Sequence, residues 1–87
     1  MEKQLLNSMR VILNKHDPIG LYLIINAFDE YDPEIEEIYK KSDKVNDFDE
    51  SLDLIHKTFI EFFDKNIAGK KEKYVKLSKD LFKILRS

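Results

Sequence analysis

"HDPIGLYLIINAFDEYDPE", residues 16–34, is the stretch whose reading decides how this chain folds. Charged residues make up 37% of the 87 positions, yet residues 18–28 carry no charge at all. Two Asp-Pro pairs, Asp17-Pro18 and Asp32-Pro33, bracket that run. Proline pushes the residue before it out of helical geometry, so each pair should close a helix. Aspartate is also a favoured N-cap, and proline suits the first helical position because its missing N–H would be unpaired there anyway. The two pairs therefore predict one helix ending near His16, a second over 18–28 and a third from 33.

Working outward, the apolar spacing is helical almost everywhere. Over residues 2–16, Leu5, Leu6, Met9, Ile12, Leu13 and His16 share one face, with Val11 pointing the other way. The third helix, about 33–43, puts Ile35, Ile38 and Tyr39 together and carries the i,i+4 pairs Glu36–Lys40 and Glu37–Lys41 in the favourable order. Its early acids and late lysines also complement the helix dipole. Asp47 with Glu50 three residues on is a capping-box pattern. It opens a fourth helix striped by Phe48, Leu52, Ile55, Phe59, Phe62 and Phe63, which should end at Asn66–Gly69 with Gly69 left-handed. A last helix, about 71–86, turns Tyr74, Leu77, Ser78, Leu81 and Leu85 inward, with Phe82 and Ile84 at the flanks. Two Gly, two Pro and no Ser-rich stretch leave little room for strands joined by tight turns. The expected fold is all-α, a compact bundle of four to five short helices in a single domain, residues 1–87.

At 10.4 kDa the folded surface should be about 5,400 Å², burying roughly 64% of the extended chain. One hydrophobic core is then sufficient. Hydrophobic content of 43% argues against disorder. Cysteine is absent, which excludes disulfides and thiolate metal sites and matches a reducing cytosol. The longest uncharged run is 11 residues, against about 20 for a membrane span. Charged and polar residues interrupt the first fifteen positions, unlike a signal peptide. A soluble cytoplasmic protein is expected. The net charge of −2 conceals an asymmetry: residues 1–64 hold 7 Lys/Arg and 15 Asp/Glu (−8), while residues 65–87 hold 8 and 2 (+6).

Catalytic parts are missing from the sequence. There is no cysteine nucleophile, Gly-rich phosphate loop, H-E-x-x-H or serine elbow, and carboxylates this common do not single out an acid/base pair. No enzyme activity and no cofactor are expected. The acidic segment Asp29–Glu34 fits no calcium-loop spacing, and the Asp47/Asp49/Ser51 series has Leu52 where glycine and Thr58 where glutamate are needed, so no metal is assigned. His16 and His56 lie on or beside apolar stripes and read as packed rather than ligating.

Two surfaces could do work. A helix apolar all round must be buried all round. The run 18–28 is then either a central core helix, or leaves one side open to a protein partner or a second copy. Leu21, Ile25 and Phe28 are the candidate contacts, with Asp29, Glu30 and Tyr31 beside them. On the contact reading, Ile25→Glu abolishes a complex without unfolding the chain. The second surface is a basic stripe, Lys76, Lys79, Lys83 and Arg86, opposite the core face of the last helix. It could follow phosphates. No aromatic is interleaved with it, which argues against nucleic acid, and the apolar face is needed for the core, which argues against a membrane.

Asp17-Pro18-Ile19-Gly20 followed by Asp29-Glu30-Tyr31-Asp32-Pro33-Glu34-Ile35 resembles the YugE-like family of small bacterial proteins of unknown function. The likeness extends more loosely to the aromatic helix with Phe59, Phe62 and Phe63. It implies a compact all-helical cytosolic domain and supplies no catalytic residues. Similar pairings also look like those in small proteins encoded beside bacterial toxins. An immunity-type inhibitor, covering a basic toxin site with residues 29–37 and 43–53, is therefore an alternative to an interaction module.

Overall fold

Phe59 sits at the centre of the molecule, and the helices are arranged around it. The computed structural model describes residues 1–86. In chain order these form α1 (Lys3–His16), α2 (Leu21–Ile25), α3 (Asp32–Lys41), a 3₁₀ turn (Ser42–Lys44), α4 (Phe48–Phe63), α5 (Lys65–Ala68), a second 3₁₀ turn (Lys71–Tyr74) and α6 (Val75–Arg86). No strand occurs among the described residues. Four long helices build the all-α bundle, and two short ones interrupt its connections. The accessible surface of 5594 Å² and the radius of gyration of 11.8 Å match a compact globule of this size.

The central helix is α4, packed on α3, α5 and α6, while α1 closes the bundle against α3 and α6. The expected stripes meet there, except that Tyr39 and Phe62 face solvent. Met9 and Leu13 from α1, Ile35 and Ile38 from α3, Ile55 and Phe59 from α4, and Leu77 and Leu81 from α6 are all essentially without solvent contact. Phe59 touches Tyr31 (ring centroids 5.9 Å apart), Tyr74 (5.2 Å) and Phe63 (5.9 Å, stacked). Such pairs contribute about 0.5–1.5 kcal/mol each beyond their burial.

Local signals explain most helix ends. Asp47 caps α4 by accepting from the Glu50 amide at 2.9 Å, and the Glu50 carboxylate returns to the Asn46 amide at 2.8 Å. That is the expected capping box, displaced by one residue on its return bond. The α4 C-terminus differs from expectation. Asp64 adopts φ 84°, ψ 166°, which stops the helix at Phe63. Its carboxylate then caps α5 through the Ile67 amide at 2.9 Å. Gly69, with φ 83° and ψ −166°, closes α5 rather than α4, in a region open essentially to glycine alone. His56 Nε2 reaches the Gly69 carbonyl at 2.8 Å, and the Tyr74 hydroxyl donates to the Ala68 carbonyl at 2.5 Å. The corner between α4 and α6 is thereby tied to the core.

The largest departure is at 18–28. No continuous helix forms there, and α2 buries none of its five residues. Asp17 ends α1 in the left-handed region (φ 45°), a turn follows in which the Gly20 amide donates to the Asp17 carbonyl at 3.0 Å, and helical geometry begins only at Leu21. Gly20 (φ 82°) and Asn26 (φ 60°) bracket α2 with positive φ, leaving little more than one turn. The run is therefore not the central core helix. Tyr31, Phe59 and Tyr74 occupy that volume instead.

Candidate interaction surface

Without a buried place to go, the apolar run forms a lip on the surface. Leu23 is 83% exposed and Ile24 79%, with Ile25 and Phe28 about half exposed and Tyr22 slightly less. Val11, 56% exposed on α1, extends the patch across a shallow hollow that it shares with Asn14, Lys15, Tyr22 and Phe28. Single exposed apolar residues are ordinary, whereas a contiguous patch of several hundred Å² marks a contact surface.

The lip is held rigidly from beneath. The Asp17 carboxylate accepts the amides of Tyr22 (2.9 Å) and Leu23 (3.0 Å), so it performs its capping role from three residues before the N-cap, Gly20. Asp17 also accepts the Tyr31 hydroxyl at 2.7 Å, and that hydroxyl oxygen accepts from the amides of Ile19 (3.2 Å) and Leu21 (3.4 Å). Burial by itself pushes the Asp17 carboxyl up. The hydrogen bonds from Tyr31 and the neighbouring amides together outweigh it and hold the group below its ordinary value. Burial, then the Asp17 hydrogen bond, push the Tyr31 phenol well above its ordinary value, so it remains a neutral donor. At the other end of the lip, Asn14 Nδ2 donates to the Phe28 carbonyl at 2.8 Å. The Arg10 guanidinium lies 5.7 Å from the Phe28 ring centroid and forks onto Asp32 at 2.9 and 2.6 Å. Asp32 thus serves as a counter-ion to α1. It is the first residue of α3, with Tyr31 at the N-cap position, so the expected N-cap role falls away.

The residues singled out in the sequence divide accordingly. Ile25 and Phe28 are on the lip, Asp29 is exposed beside it and Glu30 is partly covered. Leu21 packs against the core instead. Tyr31 is 1% exposed, a core ring and a latch rather than a contact residue. Leu23 and Ile24, the most exposed apolar side chains here, were not singled out. A helical wheel drawn over 18–28 places them on opposite sides, whereas one short turn presents both to solvent.

On α6 the stripe Lys76, Lys79, Lys83 and Arg86 is exposed as expected, but the expected absence of aromatics is corrected. Phe82 and Phe48, edge to face at 6.1 Å and 80°, lie in a groove with Lys79, Asp80, Lys83 and Arg86. The Arg86 guanidinium lies 5.2 Å from the Phe82 centroid. Asp80 accepts from His16 Nε2 at 2.7 Å, and this bond, foremost, holds its carboxyl below the usual range. Lys79, Lys83 and Arg86 have no carboxylate within ion-pair distance among the described residues. Both histidines serve the structure: His16 pairs with Asp80, and His56 with Gly69. Among the described residues, no three His, Asp or Glu side chains converge on a common point, and no helix is long and apolar enough to cross a membrane.

Comparison with protein-family models, with curated proteins and with solved structures finds no match in any of the three.

Proposed function

We infer that this protein is a non-catalytic interaction module that docks on another protein surface through the lip at residues 21–28. The observation that carries this reading is the exposure of Leu23 and Ile24, 83% and 79%, on a turn whose backbone is fixed by Asp17 and Tyr31. A disordered apolar segment would lose much of its contact energy in ordering, whereas a turn already held in place gives up little on binding. Burying Leu or Ile side chains contributes about 1.5–3 kcal/mol each, so two or three of them can anchor a contact. The hydrogen bonds that hold the lip end on backbone amides and a phenol, which serves presentation rather than chemistry.

The test is in-cell photo-crosslinking from a benzophenone amino acid at position 24, with position 65 on exposed α5 as the control. The reading expects a discrete protein adduct from position 24 and none from position 65. No adduct from position 24 overturns it.

A further inference from the structure

We propose that the partner is a second copy of the chain, and that the lip of one copy seats in the Phe48/Phe82 groove of the next. This rests on the reading of the lip as a contact surface and names its occupant. The two surfaces carry matching unmet needs. The lip offers Leu23, Ile24 and Ile25 to water and runs directly into Asp29 and Glu30, which make no ion pair of their own among the described residues. The groove has a floor of two phenylalanines, and Lys79, Lys83 and Arg86 on its rim have no carboxylate within ion-pair distance among the described residues, Lys83 acting on Asp80 only from farther off. Its one acid among the described residues, Asp80, is already engaged by His16, which leaves the rim basic.

Apolar side chains followed by carboxylates thus face apolar rings edged by cations. The same complementarity appears along the chain as −8 over residues 1–64 against +6 over residues 65–87. A symmetric lip-to-lip contact would leave the groove unfilled and Lys79 and Lys83 unpaired. Lip-to-groove contact satisfies both surfaces. Its geometry is heterologous, because different patches meet, so each added copy leaves one lip and one groove free. An assembly built on a few apolar side chains and exposed charges is concentration-dependent and, through those charges, salt-sensitive.

Sedimentation velocity on purified full-length chain tests this with two variants, each disabling one surface. Leu23→Glu/Ile24→Glu destroys the lip, and Lys79→Glu/Lys83→Glu reverses the groove's charge. All four side chains are exposed, so circular dichroism of both should match wild type. The wild type should associate progressively up to about 1 mM, where weak interfaces still form. Each variant alone should stay monomeric. Their mixture should form a one-to-one dimer that grows no further, because it contains one intact lip and one intact groove. A wild type monomeric throughout, a groove variant that associates like wild type, or a mixture that stays monomeric while wild type associates each overturns the proposal. A position-24 adduct to some other protein, with a monomeric purified chain, overturns this proposal alone. Absence of any adduct overturns the reading beneath it.

Discussion

Glu34 provides a stringent test of how α3 is buried. It lies in the first turn of α3, is 2% exposed, and its Oε1 has no hydrogen-bond partner. Burial pushes its carboxyl from 4.5 up to about 7, opposed by its own backbone amide and reinforced by Asp32 and Glu30. A carboxyl whose pKa is raised on folding penalises the folded state wherever it must ionise. Below about pH 4.5 it is protonated in both states and costs nothing. The penalty grows between about 4.5 and 7 and is constant above that window. At about 1.4 kcal/mol per pKa unit, it reaches about 3 kcal/mol. Glu34→Gln removes the ionisation, at the pH-independent cost of a buried amide, about 1–3 kcal/mol if unpaired. That cost cancels when the mutational effect is compared at two pH values. Urea unfolding of wild type and Glu34→Gln at pH 4.5 and pH 8.5 should show the variant gaining about 3 kcal/mol relative to wild type between them. An effect equal at both pH values would mean that Glu34 ionises freely, and would refute the burial argument.

Three further outcomes follow from the same structure. Asp17→Asn should cost about 1–2 kcal/mol at neutral pH through its weakened bonds to Tyr31 and the α2 amides. Because the folded carboxyl lies below its ordinary value, that gap should be present above about pH 4 and close as pH falls through the folded pKa; a pH-independent gap in acid titrations of unfolding would contradict it. Phe59→Ala should destabilise by about 3–5 kcal/mol while Leu23→Ala changes stability by less than about 0.5 kcal/mol, and comparable losses in thermal melts would mean the lip belongs to the core. Asp64→Gly should be neutral or stabilising by up to about 1 kcal/mol, since relief of a glycine-type backbone conformation outweighs the cap it loses, while Asp64→Ala should destabilise. Chemical denaturation in which the glycine variant is the weaker of the two would contradict the strain argument.

Much of the architecture was legible because it rests on short-range rules. The stripe of Leu77, Ser78 and Leu81 on α6 with Tyr74 just before it, the Asp47/Glu50 box and the close of α1 near His16 depend on residues within a few positions of one another, and the structure carries all three. The apolar run misled for the opposite reason. A wheel over 18–28 assumes continuous helical geometry, and Gly20 and Asn26 with positive φ remove that assumption at both ends. The fates of Leu21, Tyr31 and Asp32 hung on partners such as Arg10, 22 residues away from Asp32, whose contacts no local pattern records. The groove was hidden likewise. Phe82 read as a flank of α6, and its ring partner Phe48 comes from the first turn of α4.

The most direct test of the account uses the absence of cysteine from the sequence. Ile24→Cys introduces a lone thiol at the tip of the lip, and its alkylation rate can be compared in dilute purified protein and in intact cells. The account predicts reaction in dilute solution at the rate of an unfolded peptide and at least several-fold protection in cells. A thiol slow to react in the isolated chain would show the tip folded away, and one equally reactive in both settings would show that nothing covers it; either result contradicts the account.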